Sequence, residues 1–132
     1  MKKLLVLLSF MATTAFAADV PHLSPADAAR LVKQGAAVLI DVREPAEWAE
    51  TGVAAGAVLL PKSDFDGDQK RWKDFLAHVG DKQLILYCRS GKRAGVIAEA
   101  LAAKGVKVAN AGGFKDWVAA GLPTRPVEAA RP

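Results

Sequence analysis

Reactive and metal-binding side chains are scarce in this 132-residue chain, which has one cysteine and two histidines. One cysteine excludes an internal disulfide. His22 and His78 lie far from Cys88 and from each other in sequence, so the three give no metal-ligand spacing, and no metal is expected. No base adjoins the cysteine in sequence, which leaves a Cys–His hydrolase with weak support. Internal repeats, coiled-coil heptads and long low-complexity segments are also missing. The single long apolar run, residues 4–10, falls short of the roughly 20 residues that span a bilayer.

That run belongs to an address. Lys2 and Lys3 precede it, and Ala15-Phe16-Ala17 supplies the small-x-small pattern of a signal-peptidase site. The expectation is a signal peptide over residues 1–17, cleavage after Ala17 and export to a bacterial periplasm. With no cysteine after the cleavage site, no lipid anchor and no stable membrane association are expected. The remaining 115 residues suffice for one ordinary core. The leader takes two lysines with it, so 16 basic residues face 14 acidic ones. A net charge of +2 gives little support for nucleic-acid binding.

Along residues 18–132, short apolar runs alternate with helical patterns. Ser24-Pro25 caps a helix reaching about Lys33, and residues 38–40 follow as a strand. Glu44-Pro45 opens a short helix holding Trp48, and residues 58–60 are a further strand. Ser63 to Asp68 reads as a polar loop. Asp64, Asp66 and Asp68 have the alternate spacing of a calcium loop, but Gly67 precedes the third acid and Phe75 stands where the terminal glutamate belongs. Trp72, Phe75, Leu76 and Val79 mark an amphipathic helix. Residues 84–87 are a strand, 93–104 a helix, 106–108 a last strand, and residues 110–114 a tight turn before the Trp117 helix. An irregular tail is expected from about residue 123. This alternation predicts an α/β domain whose parallel sheet is covered on both faces.

In such sheets, sites form beyond the carboxyl ends of strands, and Cys88 follows Leu84-Ile85-Leu86-Tyr87. A lone cysteine beside apolar residues is ordinarily a packed small hydrophobe. Its neighbours Arg89, Ser90, Gly91, Lys92 and Arg93 change that reading. Cations and a helix N-terminus favour the thiolate, the reactive form of cysteine. A loop curled around the sulfur would point backbone N–H groups inward and hold an anion, and Gly91 permits the curl. A thiolate activated in this way needs no base and suits acceptance of a soft atom such as sulfur.

Four segments resemble the rhodanese (thiosulfate sulfurtransferase) family. Asp41-Val42-Arg43-Glu44-Pro45-Ala46-Glu47-Trp48 is similar to its Asp-x-Arg segment. Gly52-Val53-Ala54-Ala55-Gly56-Ala57-Val58 is similar to its His-Ile-x-Gly-Ala stretch, with Val53 in place of the histidine. Tyr87-Cys88-Arg89-Ser90-Gly91-Lys92-Arg93 resembles its active-site loop. Asn110-Ala111-Gly112-Gly113-Phe114, with Trp117, resembles its glycine-glycine turn and final helix. The leader and single domain are similar to exported single-domain members.

The resemblance implies a three-layer α/β/α domain with a central parallel sheet of about five short strands. It implies Cys88 as nucleophile and persulfide carrier. Residues 89–93 would cradle the sulfur, with Arg89, Lys92 and Arg93 attracting an anionic donor such as thiosulfate. Asp41 and Arg43 would support the loop region. No cofactor is implied. The acceptor would be cyanide or a thiol, with a redox or sulfur-carrier protein as a further partner, and the default assembly is a monomer.

Two alternatives stay open at this point: a non-catalytic sulfur carrier, and phosphatase or arsenate-reductase chemistry on the same fold. The latter's phosphatases use Cys-x5-Arg. Here the spacing to Arg93 is Cys-x4-Arg, and Ala94 stands at the phosphatase arginine position.

Overall fold

Side-chain alternation along the strands sets the layering of the domain. A computed structural model describes residues 19–128; the predicted signal peptide, its cleavage site and the last four residues lie outside that range. The elements run α1 (Pro25–Lys33), β1 (Ala37–Asp41), α2 (Pro45–Thr51), β2 (Val53–Ala54), β3 (Val58–Leu59), α3 (Lys62–Asp66), α4 (Lys70–His78), β4 (Gln83–Cys88), α5 (Lys92–Ala103), β5 (Val108–Gly113), α6 (Phe114–Ala119) and β6 (Thr124–Arg125).

Among the described residues, the central sheet is parallel and has four strands in the order β3-β1-β4-β5. Four rather than about five is one correction to the sequence reading. The other strands, β2 and β6, pair antiparallel as a separate ribbon. β6 is a second correction, because it lies in the tail expected to be irregular. Arg125 also donates from Nη2 to the Ala57 carbonyl at 3.0 Å, and Pro123 accepts from the Trp117 indole at 2.8 Å. No hydrophobic pattern marks this tail, since polar contacts tie it down.

Successive strand residues face opposite sides. Ile40, Val42, Leu84, Leu86 and Cys88 join Trp72, Ile97 and Leu101 in one cluster. Leu39, Ile85 and Tyr87 join Ala28, Phe114 and Trp117 in the other. The first lies under α4 and α5, the second under α1 and α6, which gives the three layers.

Two local differences follow from capping and from a bulge. The expected polar loop contains α3, and its acids serve neighbouring backbone. Asp64 accepts the Trp72 N–H at 3.0 Å, and Asp68 accepts that of Lys70 at 3.1 Å. The expected tight turn at residues 110–113 is the end of β5. Leu86 pairs with Asn110 but Cys88 pairs with Gly113, so Ala111 and Gly112 together face Tyr87. Gly112 adopts φ 81, as a glycine can at such a bulge.

Candidate active site

β4 delivers Cys88 to the carboxyl edge of the sheet, flanked by the ends of β1 and β5. Gly91, at φ 95, turns the chain back and caps α5. This fold of the loop brings the Gly91 N–H to 3.0 Å from Cys88 Sγ, where it donates to the sulfur. Residue 88 is 1% exposed, while Arg89, Ser90 and Lys92 are exposed above it. The sulfur therefore sits under the loop with a backbone donor aimed at it.

The bulge in β5 makes that loop possible. A Cβ on Gly113 would collide with the Arg89 carbonyl oxygen, and one on Gly91 would come within 3.2 Å of Gly112 Cα. Backbone packs directly on backbone here, which only glycine allows. Asn110, buried at the start of the bulge, holds both sides together. Its Nδ2 donates to the Gly91 carbonyl at 2.9 Å, and its Oδ1 accepts the Gly112 N–H at 2.9 Å.

The cations divide into two kinds. Arg93 points back to α2, donating from Nη1 to Glu47 Oε1 at 2.6 Å and from Nη2 to Oε2 at 2.9 Å. Those bonds are the main reason that the Glu47 carboxyl is held down at about 2, against the opposing effect of burial. They also lift the Arg93 guanidinium above its ordinary range, with a smaller contribution from the charge of Cys88. Arg93 was expected to orient a donor anion, yet its fork is already occupied by Glu47, so it clamps the loop to α2. Arg89 and Lys92 carry the exposed charge of the loop and form no ion pair among the described residues.

Asp41 and Arg43 form a buried pair at 2.8 Å. Burial pulls the Arg43 guanidinium down, but hydrogen bonding and charge from Asp41 outweigh it and raise it overall. Arg43 also donates to Thr51 Oγ1 and the Gly52 carbonyl, both at 2.9 Å, and its Cζ lies 4.4 Å from the Phe114 ring centroid. The pair thus fastens the turn between α2 and β2 and supports the Phe114 side of the site, without bonding to residues 88–93. Tyr87 accepts the Ala54 N–H at 2.9 Å, and burial, followed by the charge of Asp41, pushes its phenol well above the ordinary range.

Beside the loop is a cleft of about 320 Å³. Arg43, Glu47, Glu50, Thr51, Arg89, Phe114 and Lys115 line it. Cys88 lies next to this cleft rather than on its wall. Sequence reasoning passed over Glu47, Asn110 and Lys115 as functional residues. Glu47 and Asn110 stood within the resembling segments, but their roles depend on partners 46 and 19 residues away. Nothing local marks Lys115.

A parallel α/β sheet bearing one cysteine at the end of a central strand, inside a short cation-rich loop, defines the class. Residues 24–120 match the model of the Rhodanese-like domain, and the chain belongs to that family. An uncharacterized protein of Synechocystis is 34% identical over 104 residues, covering 77% of this chain. The chain spans about half the length of that relative, 54%. Among solved structures, a Rhodopseudomonas palustris protein of unknown function, described as a possible tyrosine phosphatase, is 30% identical with a TM-score of 0.68. That match covers 80% of this chain and 85% of the other. The homodimeric polysulfide-sulfur transferase of Wolinella succinogenes is 28% identical, with a TM-score of 0.66 and coverage of 84% and 82%.

Proposed function

We propose that this protein is an exported sulfurtransferase that moves the sulfane sulfur of thiosulfate, or a similar anionic donor, to a thiol or cyanide through a persulfide on Cys88. The observation that carries the reading is the Gly91 N–H donating at 3.0 Å to a buried Sγ in the loop of residues 88–93. Family membership and the likeness to a polysulfide-sulfur transferase support sulfur transfer as the chemistry. In the first step the Cys88 thiolate attacks the outer sulfur of thiosulfate. The Sγ–S bond forms, the S–S bond of the donor breaks, and sulfite leaves with the electron pair. In the second step a thiolate or cyanide attacks the outer sulfur of the persulfide and returns Cys88 as thiolate. No outside oxidant or reductant is consumed. The Gly91 N–H and the start of α5 would stabilise negative charge on sulfur in both steps.

The leader would direct the chain to the periplasm, where a monomer would work on small anions or with a redox or sulfur-carrier protein. Phosphatase chemistry is the reading that the Rhodopseudomonas relative raises. The loop opposes it, because Ala94 is buried at the phosphatase arginine position and Arg93 is bound to Glu47. The deciding experiment is mass spectrometry of the intact protein after thiosulfate alone, with cyanide turnover measured alongside. A gain of one sulfur that disappears in Cys88→Ser is expected. Turnover retained by a folded Cys88→Ser variant would reject the mechanism, and a charged protein that fails to turn over would indicate a carrier.

A further inference from the structure

The cleft beside the loop has a charge arrangement that thiosulfate does not need. Arg43 and Glu47 are already paired, with Asp41 and Arg93 respectively. Three exposed charged residues of the lining remain without ion pairs among the described residues: Arg89, Lys115 and Glu50. Backbone pairing brings two of them to neighbouring chain positions. Cys88 pairs with Gly113, so Arg89 and Lys115 lie one and two residues beyond a rigid ladder position. Phe114 and Thr51 also line the cleft, the Thr51 hydroxyl being already bonded to Arg43.

Small organic ligands occupy pockets of about 300–1,000 Å³. The cleft, at about 320 Å³, reaches that range and far exceeds the volume of a small inorganic anion. Two cations and one acid lining the same cleft suit a molecule with carboxylate and ammonium groups. Arginine can grip a carboxylate through two donors, while lysine acts as a point charge.

Resting on the sulfurtransferase reading above, we propose that Lys115 and Arg89, together with Glu50, form a subsite for the acceptor: a thiol of amino-acid or short-peptide type. Its carboxylates engage Arg89 and Lys115, its ammonium faces Glu50, and its chain lies along Phe114. The thiolate then reaches the persulfide beside the cleft. The new bond joins its sulfur to the outer persulfide sulfur, the Sγ–S bond breaks, and the electron pair returns to Cys88.

S-Methylglutathione, which has two carboxylates and one ammonium but no thiol, tests the subsite without any sulfur transfer. Titration of the full protein followed by amide chemical shifts is expected to perturb residues 50–51, 89 and 113–115. Lys115→Glu should weaken that binding at least fivefold, and rising salt should weaken it in the parent protein. Single-turnover discharge of the persulfide form by 3-mercaptopropionate and 2-mercaptoethanol supplies the functional arm. The rate ratio of the anionic to the neutral thiol should fall at least fivefold in Lys115→Glu. No shifts at those residues, or an unchanged ratio, would overturn the subsite. Failure of the protein to gain sulfur from thiosulfate is a separate result: it would remove the acceptor role and the sulfurtransferase reading, whatever the titration shows.

Discussion

Two side chains, Asn110 and Glu47, carry most of the precision of the site although neither bears the chemistry. Asn110 bridges the Gly91 carbonyl and the Gly112 N–H in a buried position. Asn110→Ala leaves both unpaired, at a cost of about 2–3 kcal/mol. Urea unfolding should show that loss, and sulfur transfer should fall under conditions where the variant remains folded. Full activity would mean that the loop does not need this bridge. Glu47 gives a pH signature. Its folded carboxyl titrates at about 2 against an ordinary 4.5. Between those values the unfolded chain binds more protons than the folded one, so stability is complete above 4.5 and drains away as pH falls toward 2. Glu47→Gln should flatten stability against pH in that window. With Glu47 and Arg93 each partly exposed to water, the contribution at neutral pH is about 1–2 kcal/mol rather than the full equivalent of the shift. A variant that keeps the parent slope would show that another carboxylate is responsible.

At the level of elements, the close contact between the loop and β5 makes glycine positions unequal. Gly113→Ala drives a Cβ into the Arg89 carbonyl, with backbone on both sides and little freedom to yield. A loss of several kcal/mol is expected, on the scale of overpacking with backbone displacement. Gly95→Ala, inside α5, meets only the Asn110 amide at 3.4 Å. The gain in helix propensity, up to about 1 kcal/mol, should leave its stability equal or higher. Thermal melts of the two variants test the contrast, and equal melting temperatures would refute it. The sequence made β1, β4, α5 and the position of Cys88 legible because apolar runs and glycine stops are local signals. It did not reveal α3, a five-residue helix whose N-cap, Pro61, offers no side-chain cap, or the extension of β5 into Gly112-Gly113. Glycines there read as a turn, yet they are strand residues whose missing side chains make room for the loop. Arg93 was likewise legible as a cation but not as the partner of Glu47, since that pairing exists only after α2 and α5 meet.

Across the whole molecule, residues 123–125 tie α6 to the segment around β2. Pro123 accepts from both the Trp117 indole and the Ala55 N–H, at 2.8 and 2.9 Å, while β6 covers β2. Ending the chain at Leu122 removes these bonds and the Arg125–Ala57 contact together. The melting temperature should drop by about 5–10 °C, as expected for a loss near 1–2 kcal/mol in a domain of this size. A truncated chain that melts with the parent would make the tail an ornament. The bulge opposite Tyr87 has a different consequence, for how the gene can vary in length. Loops elsewhere on the surface tolerate added or missing codons, but the three positions from Ala111 to Gly113 are counted against the two from Tyr87 to Cys88. Deleting one codon there would slide a side chain beneath the Arg89 carbonyl and carry Lys115 out of step with the cleft, so the site depends on the length of this short stretch as well as on the cysteine itself.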